Sequence, residues 1–174
     1  EGQQGLIAVQ NFYLSENEEY CREEKSEADG ADVCTFESDF CGYHSNPDGS
    51  FELKRARESW STLKEDHSSR SPYGHAVMLQ DRVSDSGPSQ FISPLLELVG
   101  TRCLSFYFLR HGPPFEFQLF ISKNKAQYTQ LWNMSNLASG ADEWTRASVT
   151  VTELNEKIQF IFQANDLDKF KKAS

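Results

Sequence analysis

The sequence predicts an all-β protein, an antiparallel β-sandwich of jelly-roll type. Three observations carry that reading. Apolar residues recur at every second position wherever a period can be read, clusters of Gly and Pro cut the chain into short runs, and 13 Phe, 6 Tyr and 3 Trp among 174 residues supply a packed core.

The runs can be taken in order. Residues 5–14 are apolar and strand-like. Residues 16–29 are crowded with Glu and read as a solvated linker or an exposed helix, which isolates the first strand from everything that follows. Short strand candidates come next at 51–54, 58–63, 75–80 and 89–93. Leu104, Phe106 and Phe108 then alternate with Ser105, Tyr107 and Leu109. Phe115, Phe117, Leu119 and Ile121 alternate with Glu116, Gln118, Phe120 and Ser122, the pattern of a half-buried strand. Two further short candidates lie at 128–132 and 147–151, and Ile158, Phe160, Phe162 and Ala164 repeat the alternation. Residues 166–172 form a polar tail, helical or frayed. Turns are marked by Asn46-Pro47-Asp48-Gly49, Ser86-Gly87-Pro88 and Gly112-Pro113-Pro114.

Charge and motifs narrow the function. A net charge of −9 repels polyanions, so nucleic acid is excluded as the main partner. No apolar run approaches the roughly 20 residues needed for a transmembrane helix, so no transmembrane segment is expected. The opening Glu1-Gly2-Gln3-Gln4 is not a basic-then-apolar leader, and any signal peptide is expected to have been removed or never included. The nucleophile elbow, phosphate loop, zinc-protease helix motif and dinucleotide glycine motif are all missing. His67 and His75 are read as structural hydrogen-bonders, and no catalytic residue is nominated.

Four cysteines, Cys21, Cys34, Cys41 and Cys103, suit two disulfides and an oxidising compartment better than a zinc site, because no Cys-x-x-Cys or finger-like His spacing accompanies them. Asn133-Met134-Ser135 is a glycosylation sequon at Asn133 and agrees with secretion. No cofactor is required by any motif. Calcium is the credible ion, since Glu37, Asp39, Asp48 and Asp66 lie near strand ends and turns, although carboxylates in such places are usually only solvated. Trp60, Trp132 and Trp144 are read as core packing before sugar platform. A sugar-binding jelly roll would need an exposed Trp or Tyr beside convergent amides, which nothing in the sequence orients.

From Cys34 onward the landmarks resemble the MAM domain, the extracellular module of meprin, neuropilin and receptor tyrosine phosphatase mu. Cys34-Thr35-Phe36-Glu37, closed by Cys41-Gly42, is similar to the family's opening. Trp60, Asp66-His67-Ser68 and Tyr73-Gly74-His75-Ala76 follow in the family's order, with His75 where an aromatic is usual. Ile92-Ser93-Pro94, Cys103-Leu104-Ser105-Phe106-Tyr107, Leu131-Trp132 and Glu143-Trp144 complete the series.

The resemblance implies a secreted, non-catalytic adhesion module that binds other copies of itself or another extracellular protein. It also implies a Cys34–Cys41 bridge and, by analogy, a calcium site at Glu37 and Asp66. The family usually ends in a strand like Gly-x-Ile-Ala-Ile-Asp-Asp-Ile and a last cysteine that pairs with the Cys-Leu cysteine. Here the match to that strand is at the front, in residues 5–14 followed by Cys21, with Gln10-Asn11 in place of the paired acids.

The chain is therefore divided into a displaced strand and cysteine (1–21), an acidic linker (22–33) and a MAM-like sandwich (34–174). The strand bearing Leu6, Ile7, Ala8, Val9 and Phe12 can complete its own sandwich, with a Cys21–Cys103 bond inside the chain. It can also be donated to a neighbouring copy and build a polymer, or be left over from a preceding domain. Self-association by strand donation is the functional expectation, and an accessory domain of a larger secreted enzyme or receptor, binding protein or glycan, is the alternative.

Overall fold

Residues 6–16, 18–21, 32–45, 51–55, 65–67, 69–80, 88–111, 115–123, 127–134 and 143–166 are described by a computed structural model of the chain. The alternating runs become strands, and among the described residues there are twelve. They are β1 (Leu6–Ser15), β2 (Asp32–Cys34), β3 (His44–Ser45), β4 (Phe51–Arg55), β5 (His75–Gln80) and β6 (Ser89–Ile92), followed by β7 (Leu96–Glu97), β8 (Gly100–His111), β9 (Phe115–Lys123), β10 (Gln127–Asn133), β11 (Thr145–Leu154) and β12 (Lys157–Asp166). Of the expected strands, 58–63 lies outside the described residues, as do most of the acidic linker and all of the polar tail but Asp166, which ends a strand. The short β2, β3 and β7 were invisible to a period of two because two or three residues cannot display one.

All pairings are antiparallel, in two sheets. The first runs β11-β8-β1-β5-β4, with β2 also on β1; the second runs β10-β9-β12-β6-β3, with β7 also on β12. The first strand of the chain is thus the middle strand of the first sheet. One edge of β1 pairs with β8 along its length, from Leu6↔His111 to Ser15↔Cys103. Its other edge is shared: Leu6–Val9 face β5, and Phe12–Leu14 face β2. Cys21, on a 3-10 turn (Glu18–Cys21), is bonded to Cys103 of β8.

The core lies between the sheets, and β1 enters it in an unusual way. Ile7 and Val9 face inward at odd positions, then Phe12 and Leu14 at even ones. A register shift between Gln10 and Tyr13, with Asn11 in the left-handed region at φ 55°, makes the change of parity. This is the effect of a β-bulge: one extra residue turns the following side chains to the other face. Asn tolerates that conformation better than a branched residue would. Phe12 then stacks on Phe162 at 4.6 Å and meets Phe36 and Phe106 edge-on. Phe106 in turn meets Trp132 edge-on at 5.2 Å, so an aromatic series ties β1 to both sheets.

Strand β8 departs from the half-buried pattern expected of it. Every residue from Cys103 to Leu109 is buried, because its outward side is covered as well. The ring of His67 lies on Tyr107 at 3.5 Å, and Ala8, Ala76, Met78 and Leu109 form a second apolar cluster capped by Trp144. On the second sheet the outward Gln90, Gln118 and Gln163 are partly exposed and Tyr128 is exposed.

Both disulfides act on the ends of β1's neighbours. Cys21–Cys103 spans 82 positions and Cys34–Cys41 spans 7. In the loop-entropy picture the long closure contributes about 4–5 kcal/mol and the short one about 2–3 kcal/mol. Replacing Cys21 and Cys103 together by Ala is expected to lower the unfolding free energy by about 2–5 kcal/mol, measured by urea denaturation. The Cys34/Cys41 double replacement should cost less; equal losses would argue against the closure account.

Candidate functional site

The bulge in β1 has a polar counterpart on the outer side of the first sheet. Gln10 is fully buried and lies where β1 exchanges β5 for β2 as its neighbour. Its side-chain oxygen accepts from the backbone N–H of His67 at 2.7 Å. That bond fixes which way the amide points, because a flip would set the oxygen against carboxylates. The amide nitrogen therefore donates into a convergent set of oxygens: Glu37 Oε1 at 3.0 Å, Asp66 Oδ2 at 3.2 Å and the His75 carbonyl at 2.7 Å. Two N–H protons are shared among three acceptors.

Asp66 organises the segment that holds this arrangement. It is fully buried and accepts from Ser69 N at 2.9 Å, from the Ser69 hydroxyl and from Ser71 N at 3.0 Å. Its own N–H donates to the Ser71 carbonyl, closing a tight loop around the carboxylate. Gly74 is required beside it, since a Cβ there would run into the Asp66 carboxylate. Glu37 Oε2 accepts from His75 N at 3.2 Å. Next to Gln10, the Asn11 side-chain amide is hydrogen-bonded to His67 Nδ1 at 2.7 Å. Trp144 Nε1 donates to the Glu65 carbonyl at 3.0 Å and closes the outer edge.

The two carboxyl groups are within hydrogen-bonding reach of each other and respond in opposite directions. Burial, and then the bond to Asp66, raises the pKa of Glu37. Burial also pushes Asp66 upward, but the hydrogen bonds from Glu37, the Ser69 hydroxyl, Ser69 N–H and Ser71 N–H outweigh it and hold Asp66 well below the usual carboxylate range. Asp66 stays ionised, and Glu37 takes up the first proton.

The order of strands, the Cys34–Cys41 turn and the Asp66 loop are now in place, and the profile of the MAM domain (meprin/A5/mu) matches residues 34–173. The chain belongs to the MAM family. No curated protein matches it in a sequence search. Strand β1 lies outside the matched range, yet it occupies the centre of the first sheet, and its following cysteine is bonded to the Cys-Leu cysteine of β8.

The sequence-derived candidates separate accordingly. All four cysteines are in disulfides, so none remains for zinc. Glu37 and Asp66 are brought together, whereas Asp39 accepts from Cys41 N at 2.8 Å inside the disulfide turn and Asp48 lies outside the described residues. Trp132 packs among Phe106, Phe108 and Phe117; Trp60 lies outside the described residues. Asn133 ends β10, partly exposed. Ser69 and Ser71, absent from the candidates, supply much of Asp66's stabilisation; the only signal for them was their closeness to Asp66 in a Ser-rich stretch.

The family analogy implies calcium at Glu37 and Asp66, and the donors as arranged do not suit it. A hard cation needs converging oxygens. Here the group at their focus is an N–H donor held in that orientation by His67. Among the described residues, no group of three or more His, Cys, Asp or Glu side chains gathers to hold a metal.

Two predictions follow from this MAM site. Calcium should leave the thermal midpoint of the wild type unchanged, whereas Gln10→Asp, which restores an oxygen ligand, should raise its midpoint by roughly 5–10 °C at saturating calcium. A wild-type rise of that size would show that a cation does enter.

The second concerns pH. The raised Glu37 makes the native state take up a proton before the unfolded state does, so this group's contribution to stability rises as pH falls from neutral toward the ordinary carboxylate range. The depressed Asp66 stabilises above that range, and its contribution is lost as pH falls through and below it. Urea midpoints from pH 7 to 2 should therefore lose their mildly acidic rise in Glu37→Gln. Asp66→Asn should lower the midpoint at neutral pH and flatten the acid limb; parallel profiles for both variants and wild type would contradict the assignment.

Proposed function

We propose that this MAM module is a non-catalytic, secreted adhesion domain that associates with other copies of itself through the exterior of a sandwich completed within one chain. The observation carrying the reading is the seat of β1. Ile7, Ala8 and Val9 are fully buried between β8 and β5, and the Cys21–Cys103 bond fastens the strand's end. Donation of Leu6, Ile7, Ala8, Val9 and Phe12 to a neighbour would require this strand to leave and Cys21 to find Cys103 in another chain. A surface contact needs neither.

The end of the sandwich around β7 is the surface we nominate. Leu95 and Val99 are 50% and 70% exposed. They lie on either side of β7, whose Leu96 lines a cleft of about 200 Å³ together with Phe12, Tyr43 and Pro94, against the Cys34–Cys41 bridge. Apolar side chains exposed beside a concave apolar surface favour a protein partner. The same cleft would serve the alternative reading, an accessory domain that recruits a ligand for a larger secreted enzyme or receptor.

Light scattering over a concentration series, with disulfides mapped under non-reducing conditions, tests these readings. Reversible association that falls at least tenfold in Leu95→Ser/Val99→Ser, with Cys21–Cys103 inside each chain, is the expected result. Cys21–Cys103 bonds between chains would replace surface contact by strand donation. A strict monomer at all concentrations would leave the accessory-domain reading.

A further inference from the structure

The outer face of the second sheet is unlike the rest of this acidic chain. Register places Gln118 of β9 opposite Gln163 of β12, and Gln163 opposite Gln90 of β6. Gln90 Nε2 donates to Gln163 Oε1 at 2.8 Å, and Gln118 Nε2 donates to Gln130 Oε1 at 3.1 Å and to Glu116 Oε1 at 3.0 Å. Among these amides, Gln90, Gln163, Phe120 and Tyr128 line a shallow cleft of about 260 Å³, and Tyr128 is 58% exposed. A row of amide donors and acceptors, with the Glu116 carboxylate at its edge, beside aromatic rings suits a pyranose, whose hydroxyls meet the polar groups and whose C–H face meets the rings.

The same face carries Asn133. It pairs in register with Gln118, so both side chains rise from the outer side of the sheet, next to the row that continues to Gln163 and Gln90. Three strand spacings separate Asn133 from Gln90, about 14 Å in all. We propose that Asn133 carries an N-linked glycan whose inner sugars lie across this row and settle in the Phe120–Tyr128 cleft. The cleft is open and shallow, which gives weak binding to a free sugar. A sugar tethered within reach has an effective concentration in the millimolar range, enough to occupy such a site. The glycan covers the open sheet face and leaves the β7 end free. The inference shares only secretion with the proposed function and does not depend on self-association.

The test uses the full chain secreted from a glycosylating eukaryotic cell. Intact mass reports occupancy of Asn133, and the rate of endoglycosidase release reports docking. Release should be at least threefold faster from Tyr128→Ala and from Gln163→Ala than from wild type, and Tyr128→Ala, whose side chain is 58% exposed, should keep the wild-type melting midpoint. An unoccupied Asn133, or equal release rates in all three proteins, would overturn the proposal. In Asn133→Gln protein, NMR titration with free chitobiose should perturb Tyr128 only at millimolar concentrations. Micromolar binding would instead make the cleft a receptor for another molecule's glycan and overturn the tethered source.

Discussion

The insertion of β1 between β8 and β5 is the constraint on which the rest of the structure depends. Without it the first sheet would separate into β11-β8 and β5-β4, each with a bare edge of unpaired backbone groups. The inward side chains Ile7, Val9, Phe12 and Leu14 would leave the space opposite Phe106 and Phe162 unfilled. Backbone pairing, core filling and the Cys21–Cys103 bond therefore fail or hold together. This explains why a segment outside the family match is as buried as any within it.

The bulge in that strand creates a local polar problem. Gln10 and Asn11 both face the outer side, and the loop around Asp66 covers them there. Buried amides and carboxylates are tolerated when their hydrogen bonds are satisfied, and costly otherwise. The solution joins three elements far apart in sequence: β1 through Gln10, the disulfide turn through Glu37, and the Asp66 loop leading into β5. An amide at their focus supplies the donors that these oxygens share. The price is that two carboxyl groups sit close together, which divides their proton affinities.

The two outer faces of the sandwich serve different ends. On the first sheet the loop bearing His67, together with Trp144, covers β8 and shields the junction from water. On the second sheet the described outward residues include a row of amides with two aromatic rings beside it. A face dominated by amides, with Glu116 at its edge, is a selective surface on a chain of net charge −9, because its recognition rests on hydrogen-bonding geometry. The apolar end near Leu95 and Val99 is separate from both, so the proposed self-association and the proposed glycan contact need not compete.

The sequence by itself determined the fold class, most of the long strands and the family. Period-two alternation is local, and it survives in strands as long as β9 and β12; Cys34, Glu37 and Asp66 were named from local landmarks in the family's order. It could not decide what those residues do, because a hydrogen bond between Gln10 and Asp66 is set by folding across 56 positions. Nor could it place the first strand, because the acidic linker is long enough for it to join its own sheet or a neighbour's, although closure within the chain needs no second molecule. Burial of both faces of β8 depended on a loop that alternation does not see, and the amide row on the second sheet depended on the register of three strands. The tertiary structure decided these points because registry and coverage arise only when distant segments pack against one another.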